Sequence, residues 1–375
     1  MKIIKVNGYC LSSTYGDGNV FGQPEGVKSI GLVEVHTDSG LVGIGETYTG
    51  VYVPELIEPI VKTIESLVVG KNPLDIEDVY NSMEIPFVSM NGFVRSIIGA
   101  IEIALWDIKG QVEEKPIYEL LSDTYTDDFG VYASGGSVSF STDDIKDDVS
   151  KILSQGFNSY KMRVGVKDWK EDIDRVKTAR NELGDNNLMV DAIQGTLNNW
   201  HQYNLVYNSK QLEQYNLTWI EEPLHPSKLK ELKSVYDMVN IPIATGEGLS
   251  GKLDFDSYLD SKCIDIIQPD VTHCGGFMRT KKIIEQAKKN GIKVSLHIWG
   301  SGISLISNLH LALSMGVDWF EIPMVSLDLL SNEFTELKKM ILNKDITLNN
   351  GLGIKLTNDV KQSYPFVKNS GYKIK

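Results

Sequence analysis

The sequence predicts an α/β protein: a closed, eight-stranded parallel (β/α) barrel with an α+β domain ahead of it. Three observations predict it. Eight short apolar runs recur at intervals of roughly 25 to 30 residues, each followed by a helical pattern, which is the rhythm of parallel strands wrapped by helices. The residues ahead of that repeat follow another order, strands first and helices after, as an α+β unit does. A chain of 375 residues also exceeds what one hydrophobic core usually organises. Spacing alone leaves an open, doubly wound sheet as the alternative.

In the first region, residues 31–36 and 41–45 flank Asp38-Ser39-Gly40 and read as a hairpin. Leu56, Ile57, Ile60, Val61, Ile64, Leu67 and Val68 then recur at three- and four-residue spacing. Gly70 is placed to end that helix, and Pro59 is expected to bend its first turns. A second helix over 94–109 presents Ile97, Ile98, Ile101, Ala104, Leu105 and Ile108 as a broad buried face. The strands of the repeat are predicted at 131–134, 159–163, 188–191, 218–221, 241–245, 264–268, 293–297 and 318–321.

Composition narrows the function. Hydrophobic residues at 42% and charged residues at 23% are ordinary for a globular protein, and no apolar run is long enough for a membrane span. A net charge of −13 opposes binding to nucleic acid or to acidic membranes. Lys5 and Asn7 interrupt any signal-peptide core, so the chain is expected in the cytoplasm. Cys10, Cys263 and Cys274 lack the spacing of a zinc or redox motif and read as structural thiols.

Catalytic groups of a parallel barrel sit where its strands finish. Strand two ends Lys161-Met162-Arg163, strand three at Asp191, strand four at Glu221-Glu222-Pro223, and strand five runs into Glu247. Strand six ends Gln268-Pro269-Asp270, strand seven at His297 and strand eight at Glu321. A single strand-end acid is as readily explained by capping the following helix. Asp191, Glu221 and Glu247 on three consecutive strands are not, because three carboxylates converging on one point require a cation. Oxygen-only ligands select a hard ion, and Mg²⁺ fits. Alternation sends Glu221 and Glu222 opposite ways, so only one should reach the ion. Asp270 and His297 end adjacent strands and can form a carboxylate–imidazole pair suited to a general base. His201, His225, His273 and His310 read as structural.

Taken together, Lys161-x-Arg163, Val190-Asp191, Trp219-Ile220-Glu221-Glu222-Pro223, Gly246-Glu247, Pro269-Asp270, His297 and Glu321 resemble the enolase superfamily, mandelate racemase-like branch. The resemblance covers nearly the whole chain. Residues 104–110 resemble the last helix of that family's capping domain, and Gly351-Leu352-Gly353 its return segment. It implies a capping domain over 1–125, a catalytic barrel over 126–350 and a carboxy-terminal segment, 351–375, returning to the cap. It also implies Mg²⁺ on Asp191, Glu221 and Glu247, an acid or base at His297 supported by Asp270, and Glu321 on the substrate-carboxylate side. The resemblance further implies a Lys or His base working with Mg²⁺ that stabilises an enediolate. A homo-oligomer is expected from the same resemblance.

Two departures refine the expectation. Family racemases commonly carry Lys-x-Lys on strand two, whereas this chain has Arg163, whose guanidinium stays protonated and serves as an oxygen-binding group. With one secure base, the expected reaction is dehydration of a sugar acid, a small hydroxy-carboxylate: His297 removes the α-proton and the β-hydroxyl leaves as water. A racemase or epimerase using Lys161 as second base is the nearest alternative, and a non-catalytic sugar-acid-binding barrel is the next. A cycloisomerase or dipeptide epimerase is disfavoured, since those relatives resemble a pattern with Lys on strand six, which here ends at Gln268-Pro269-Asp270. Ile193 is the second departure, at a position where relatives often place a polar residue. The Gly-rich stretch from Tyr15 to Gly22 has neither the spacing nor the strand-to-helix context of a nucleotide loop. It reads as a lid, with Tyr15 and Phe21 excluding water and Tyr48 and Tyr52 lining the same opening.

Overall fold

The computed structural model describes residues 1–16, 22–23, 26–86, 88–90, 92–195 and 200–373. Phe21, one of the expected lid residues, lies outside them. Three antiparallel strands, β1 (Ile3–Thr14), β2 (Val27–Thr37) and β3 (Val42–Thr47), form a small sheet in the order β1-β2-β3. The hairpin and its turn fall where the sequence places them; β1 adds an eleven-residue antiparallel ladder to the far side of β2. Two helices, Ile57–Val68 and Gly92–Glu113, pack against this sheet, the first burying one stripe and the second buried on all sides from Val94 to Leu105. The second reaches beyond the predicted 94–109. It lies close because Gly43 and Gly45 have no side chains: a Cβ at either would sit 2.0 Å from a helix carbonyl oxygen, of Ala104 and Ala100 respectively. Pro59 falls in the first turn of its helix, where the missing N–H has no intrahelical partner to lose, so no bend is required.

Eight parallel strands then close into a barrel in the order β10-β11-β4-β5-β6-β7-β8-β9. They are β4 (Gly130–Ser134), β5 (Ser159–Arg163), β6 (Asn187–Asp191), β7 (Trp219–Glu221), β8 (Ile243–Thr245), β9 (Ile266–Ile267), β10 (Lys293–Leu296) and β11 (Trp319–Pro323). Closure removes the open-sheet alternative. The lower interior is filled by Tyr132, Met189, Trp219, Ala244 and Ile266, with Trp319 packed against them. It is therefore a packed core that leaves only the upper mouth for chemistry. No helix among the described residues is long and apolar enough to cross a membrane. The three cysteines are buried and unpaired with one another.

The cap docks on the barrel through carboxylates aimed at helix starts. Glu46, at the end of β3, accepts from the backbone N–H groups of Ser301 and Ser304 and from the Ser301 hydroxyl, capping the barrel helix Gly302–Met315. Glu102 accepts from the N–H groups of Phe277 and Met278, at 2.8 and 3.0 Å, and caps the helix Phe277–Lys289. Each carboxylate satisfies orphan donors that its helix cannot satisfy itself. The chain after the barrel returns to the cap: Asp107 accepts from Leu352 N at 2.9 Å and from Ile44 N at 3.0 Å. Together these contacts hold the cap over the barrel mouth.

Candidate active site

Alternation along three neighbouring strands assembles the polar cluster. Met162, Val190 and Ile220 pack among the helices, so Lys161 and Arg163, Asp191, and Glu221 face the interior. Register does the rest, since Arg163 pairs with Asp191 and Asp191 with Glu221 across β5, β6 and β7. Glu247 arrives from the next stave, just past β8, after Gly246 at φ 124°. One oxygen from each of Asp191, Glu221 and Glu247 lies within 4.8 Å of the other two.

Two of the three carboxylates are fixed by hydrogen bonds. Glu221 accepts from Lys161 Nζ at 2.5 Å on one oxygen, and from Trp219 Nε1 and Gln268 Nε2 at 3.0 and 2.7 Å on the other. Asp191 accepts from the Ile193 N–H at 2.7 Å. Lys161 also lies 3.0 Å from Glu321, whose second oxygen takes the Ile298 N–H at 3.1 Å. Lys161 is thus wedged between two buried carboxylates. Burial alone would lower its pKa, but Glu221 and Glu321 raise it well above the usual lysine value. Arg163 donates to the Gly135 carbonyl at 2.5 Å and to Ser134 Oγ at 3.0 Å, with Nε 3.7 Å from Asp191.

On the far side of the cluster, His297 Nδ1 meets Asp270 Oδ2 at 3.0 Å, and Nε2 points toward Glu247 at 3.6 Å. The other Asp270 oxygen accepts from Thr272 N, Thr272 Oγ1 and Asn308 Nδ2, at 2.8, 2.8 and 3.0 Å. A carboxylate so committed to accepting makes Nδ1 the protonated nitrogen and leaves Nε2 facing the cavity. Burial lowers the imidazole pKa, while the Glu247 charge and the Asp270 hydrogen bond outweigh it and lift it to about 9.

The acids show the cost of gathering beyond what Lys161, Arg163 and His297 offset. Burial, then Glu221, pushes Asp191 up to about 6. Burial, then Glu222, pushes Glu247 up strongly, with His297 opposing. Glu222, with φ at 40°, stays outside the three-carboxylate cluster, as expected of the residue next to Glu221, yet its charge is felt at Glu247. This donor set fits a hard divalent cation: three oxygen ligands from adjacent staves, buried, and short of positive charge.

A cavity of about 880 Å³ lies between the barrel mouth and the cap. Arg163, Asp191, Glu247, His297 and Glu321 line it from the barrel, and Tyr15, Tyr48 and Tyr52 from the cap. The Tyr48 ring stands edge-on to His297, centroids 5.6 Å apart. Tyr15 accepts from Trp299 Nε1 at 2.8 Å. The sequence reading missed several residues in this wall. Trp299 lies two positions past His297 and lines the same cavity. Lys28, fully buried and outside the lining itself, supports it by donating to the Trp299 carbonyl and resting on the Tyr15 and Trp299 rings. His273, read as structural, lines the cavity with its ring 4.9 Å from that of Tyr48. Tyr372 enters from the opposite end of the chain.

Residues 144–360 match the family described as "Enolase C-terminal domain-like", and residues 25–122 match "Mandelate racemase / muconate lactonizing enzyme, N-terminal domain". The chain belongs to the mandelate racemase branch of the enolase superfamily. Among its superfamily relatives, it is 31% identical over 272 residues to the 3,6-anhydro-alpha-L-galactonate cycloisomerase of Streptomyces coelicolor, covering 71% of this chain and 73% of that one. It is 30% identical over 295 residues to the L-talarate/galactarate dehydratase of Salmonella typhimurium, covering 77% and 72%. A solved superfamily-type fold, a racemase from Streptomyces coelicolor with bound magnesium, superposes with a TM-score of 0.77 at 26% identity, covering 85% and 89%. Cycloisomerases therefore stand among the relatives.

Proposed function

We propose that the protein is a Mg²⁺-dependent lyase acting on a sugar acid of the aldonate or aldarate type. It would remove the α-proton, form an enediolate and expel the β-hydroxyl as water. The observation that carries this reading is the placement of His297 Nε2 on the same cavity as the Asp191–Glu221–Glu247 cluster, with Nδ1 fixed by Asp270. A proton beside a carboxylate is a very weak acid, so its removal needs both a positioned base and strong stabilisation of the developing dianion.

Asp191, Glu221 and Glu247 would hold the divalent cation. When bound, it would neutralise charge on the substrate carboxylate as the enediolate develops. Lys161 supports the ligand Glu221 from beneath and supplies fixed positive charge. Arg163 would hold a substrate oxygen, anchored as it is to Gly135 and Ser134. His297 takes the α-proton on Nε2 and, as an imidazolium braced by Asp270, can return it to the departing hydroxyl. The aromatic lid keeps bulk water from the carbanion.

The racemase alternative needs Lys161 to act as a base. Its ammonium lines the same cavity but is engaged by Glu221 and Glu321, which hold it protonated. A second reading is favoured by the cycloisomerase relative. If the β-oxygen of the substrate were a ring ether, the same proton abstraction would open the ring in place of releasing water. A screen of open-chain and ring-closed sugar acids with Mg²⁺, followed by NMR, tests the proposal. Formation of a 2-keto-3-deoxy acid supports it; α-deuterium exchange without loss of the β-oxygen would support the racemase.

A further inference from the structure

Tyr372, close to the carboxy-terminal end, forms part of one wall of the cavity. Tyr372 places its ring edge-on to Trp299, centroids 5.0 Å apart, and to Tyr52 at 5.8 Å. Tyr52 in turn meets Tyr48, which stands against His297. One run of aromatic rings thus joins the carboxy-terminal tail to the imidazole.

The tail is not lying there loosely. Its backbone is stitched to both cap segments that overhang the mouth: Tyr372 N donates to Val51 O and Lys373 N to Gly22 O, both at 2.8 Å. Just upstream, Asn369 N donates to Glu55 at 2.7 Å, and Ser370 Oγ pairs with Ser29 Oγ at 2.6 Å. The fit is close at two glycines. A Cβ at Gly371 would fall 2.2 Å from the Tyr52 carbonyl oxygen, and one at Gly22 would fall 2.0 Å from the Tyr372 ring. Four successive residues, 369–372, therefore carry contacts whose joint result is to aim one phenol ring into the cavity.

Aromatic walls with a few convergent polar groups are how small-molecule pockets hold the unreactive part of a ligand. Here the polar groups cluster at the barrel end, around Asp191, Glu247 and His297, and the rings cluster at the cap end. We infer that Tyr372 is a specificity-determining residue, contacting the carbon skeleton of the sugar acid away from its carboxylate through C–H faces. The tail completes the substrate site. This inference rests on the sugar-acid reading above, and its chemical class is a hydroxy acid whose distal carbons present a C–H face to an aromatic ring.

The test compares wild type, Tyr372→Phe and Tyr372→Ala for kcat and KM across open-chain and ring-closed sugar acids with Mg²⁺, with thermal melting recorded for each protein. Tyr372→Ala is expected to raise KM at least 10-fold for the best wild-type substrate, change kcat less, and re-rank the remaining acids. Tyr372→Phe should stay within 3-fold of wild type, and both variants should melt with the parent. Equal losses for every acid, confined to kcat, would overturn the inference, as would an unchanged ranking in a folded Tyr372→Ala. A wild-type protein that turns over no sugar acid removes the functional reading itself, and this inference with it.

Discussion

Asp270 Oδ2 and His297 Nδ1 lie 3.0 Å apart at the ends of neighbouring barrel strands. Every other acceptor position used on Asp270 is filled by Thr272 and Asn308. The imidazole is thereby presented with one nitrogen committed and one available. Replacing Asp270 by Asn should favour the opposite tautomer, since an amide can donate to Nδ1. Turnover is expected to fall about 10²- to 10⁴-fold while KM changes little. Steady-state kinetics with circular dichroism as a folding control would check this.

Removal of metal should be visible without any substrate. A cation bound only by the folded cluster stabilises the protein by mass action, about 2.7 kcal/mol at one hundred times its dissociation constant. Wild type should melt a few degrees higher with Mg²⁺ than with chelator. Glu221→Gln should lose most of that increment. An equal increment in both proteins would place the ion elsewhere.

Arg163→Lys keeps the charge but gives up the forked attachment to Gly135 and Ser134. Charge-assisted hydrogen bonds are worth about 1.5 to 3 kcal/mol each, so kcat/KM is expected to drop about 10- to 100-fold. Kinetics matching wild type would show that the guanidinium does not hold substrate.

Much of this site is legible in the sequence because it depends on local rules. Strand ends are marked by apolar runs, and alternation with parallel register puts Asp191 beside Glu221 without further information. What is not legible depends on distant chain crossings. Nothing near Tyr372 signals a cavity, because its place follows from backbone hydrogen bonds that Tyr372 and Lys373 donate to the carbonyls of Val51 and Gly22. Glu46 and Glu102 look like ordinary acids in a strand and a helix until a barrel helix start arrives against each. Glu222 adopts a left-handed backbone just past the strand end, which periodicity cannot foresee.

Those cap carboxylates carry a stability consequence. Glu46→Ala would strand the Ser301 and Ser304 donors in a buried interface. Unfolding free energy is expected to fall by about 2 kcal/mol, measured in urea.

Stability should also fall with acid through His310. This buried ring accepts from Tyr118 N on Nδ1 and contacts the Leu352 carbonyl through Nε2, so the neutral form is already satisfied. Burial pushes its pKa down to about 4, against about 6.5 in an unfolded chain. Between those values the unfolded chain takes up a proton that the folded one refuses. Its contribution is therefore complete above about pH 6.5 and is lost as pH falls toward 4. At pH 5, His310→Gln should show a loss relative to pH 7 smaller than wild type by about 2 kcal/mol.

The most direct measurement is proton NMR of a sugar-acid substrate in deuterated buffer with Mg²⁺, wild type beside His297→Asn. Wild type should remove the α-proton and release the β-oxygen, and His297→Asn should leave both the proton and the C–O bond intact. Substrate consumed by folded His297→Asn at the wild-type rate would contradict the assignment of the imidazole as base.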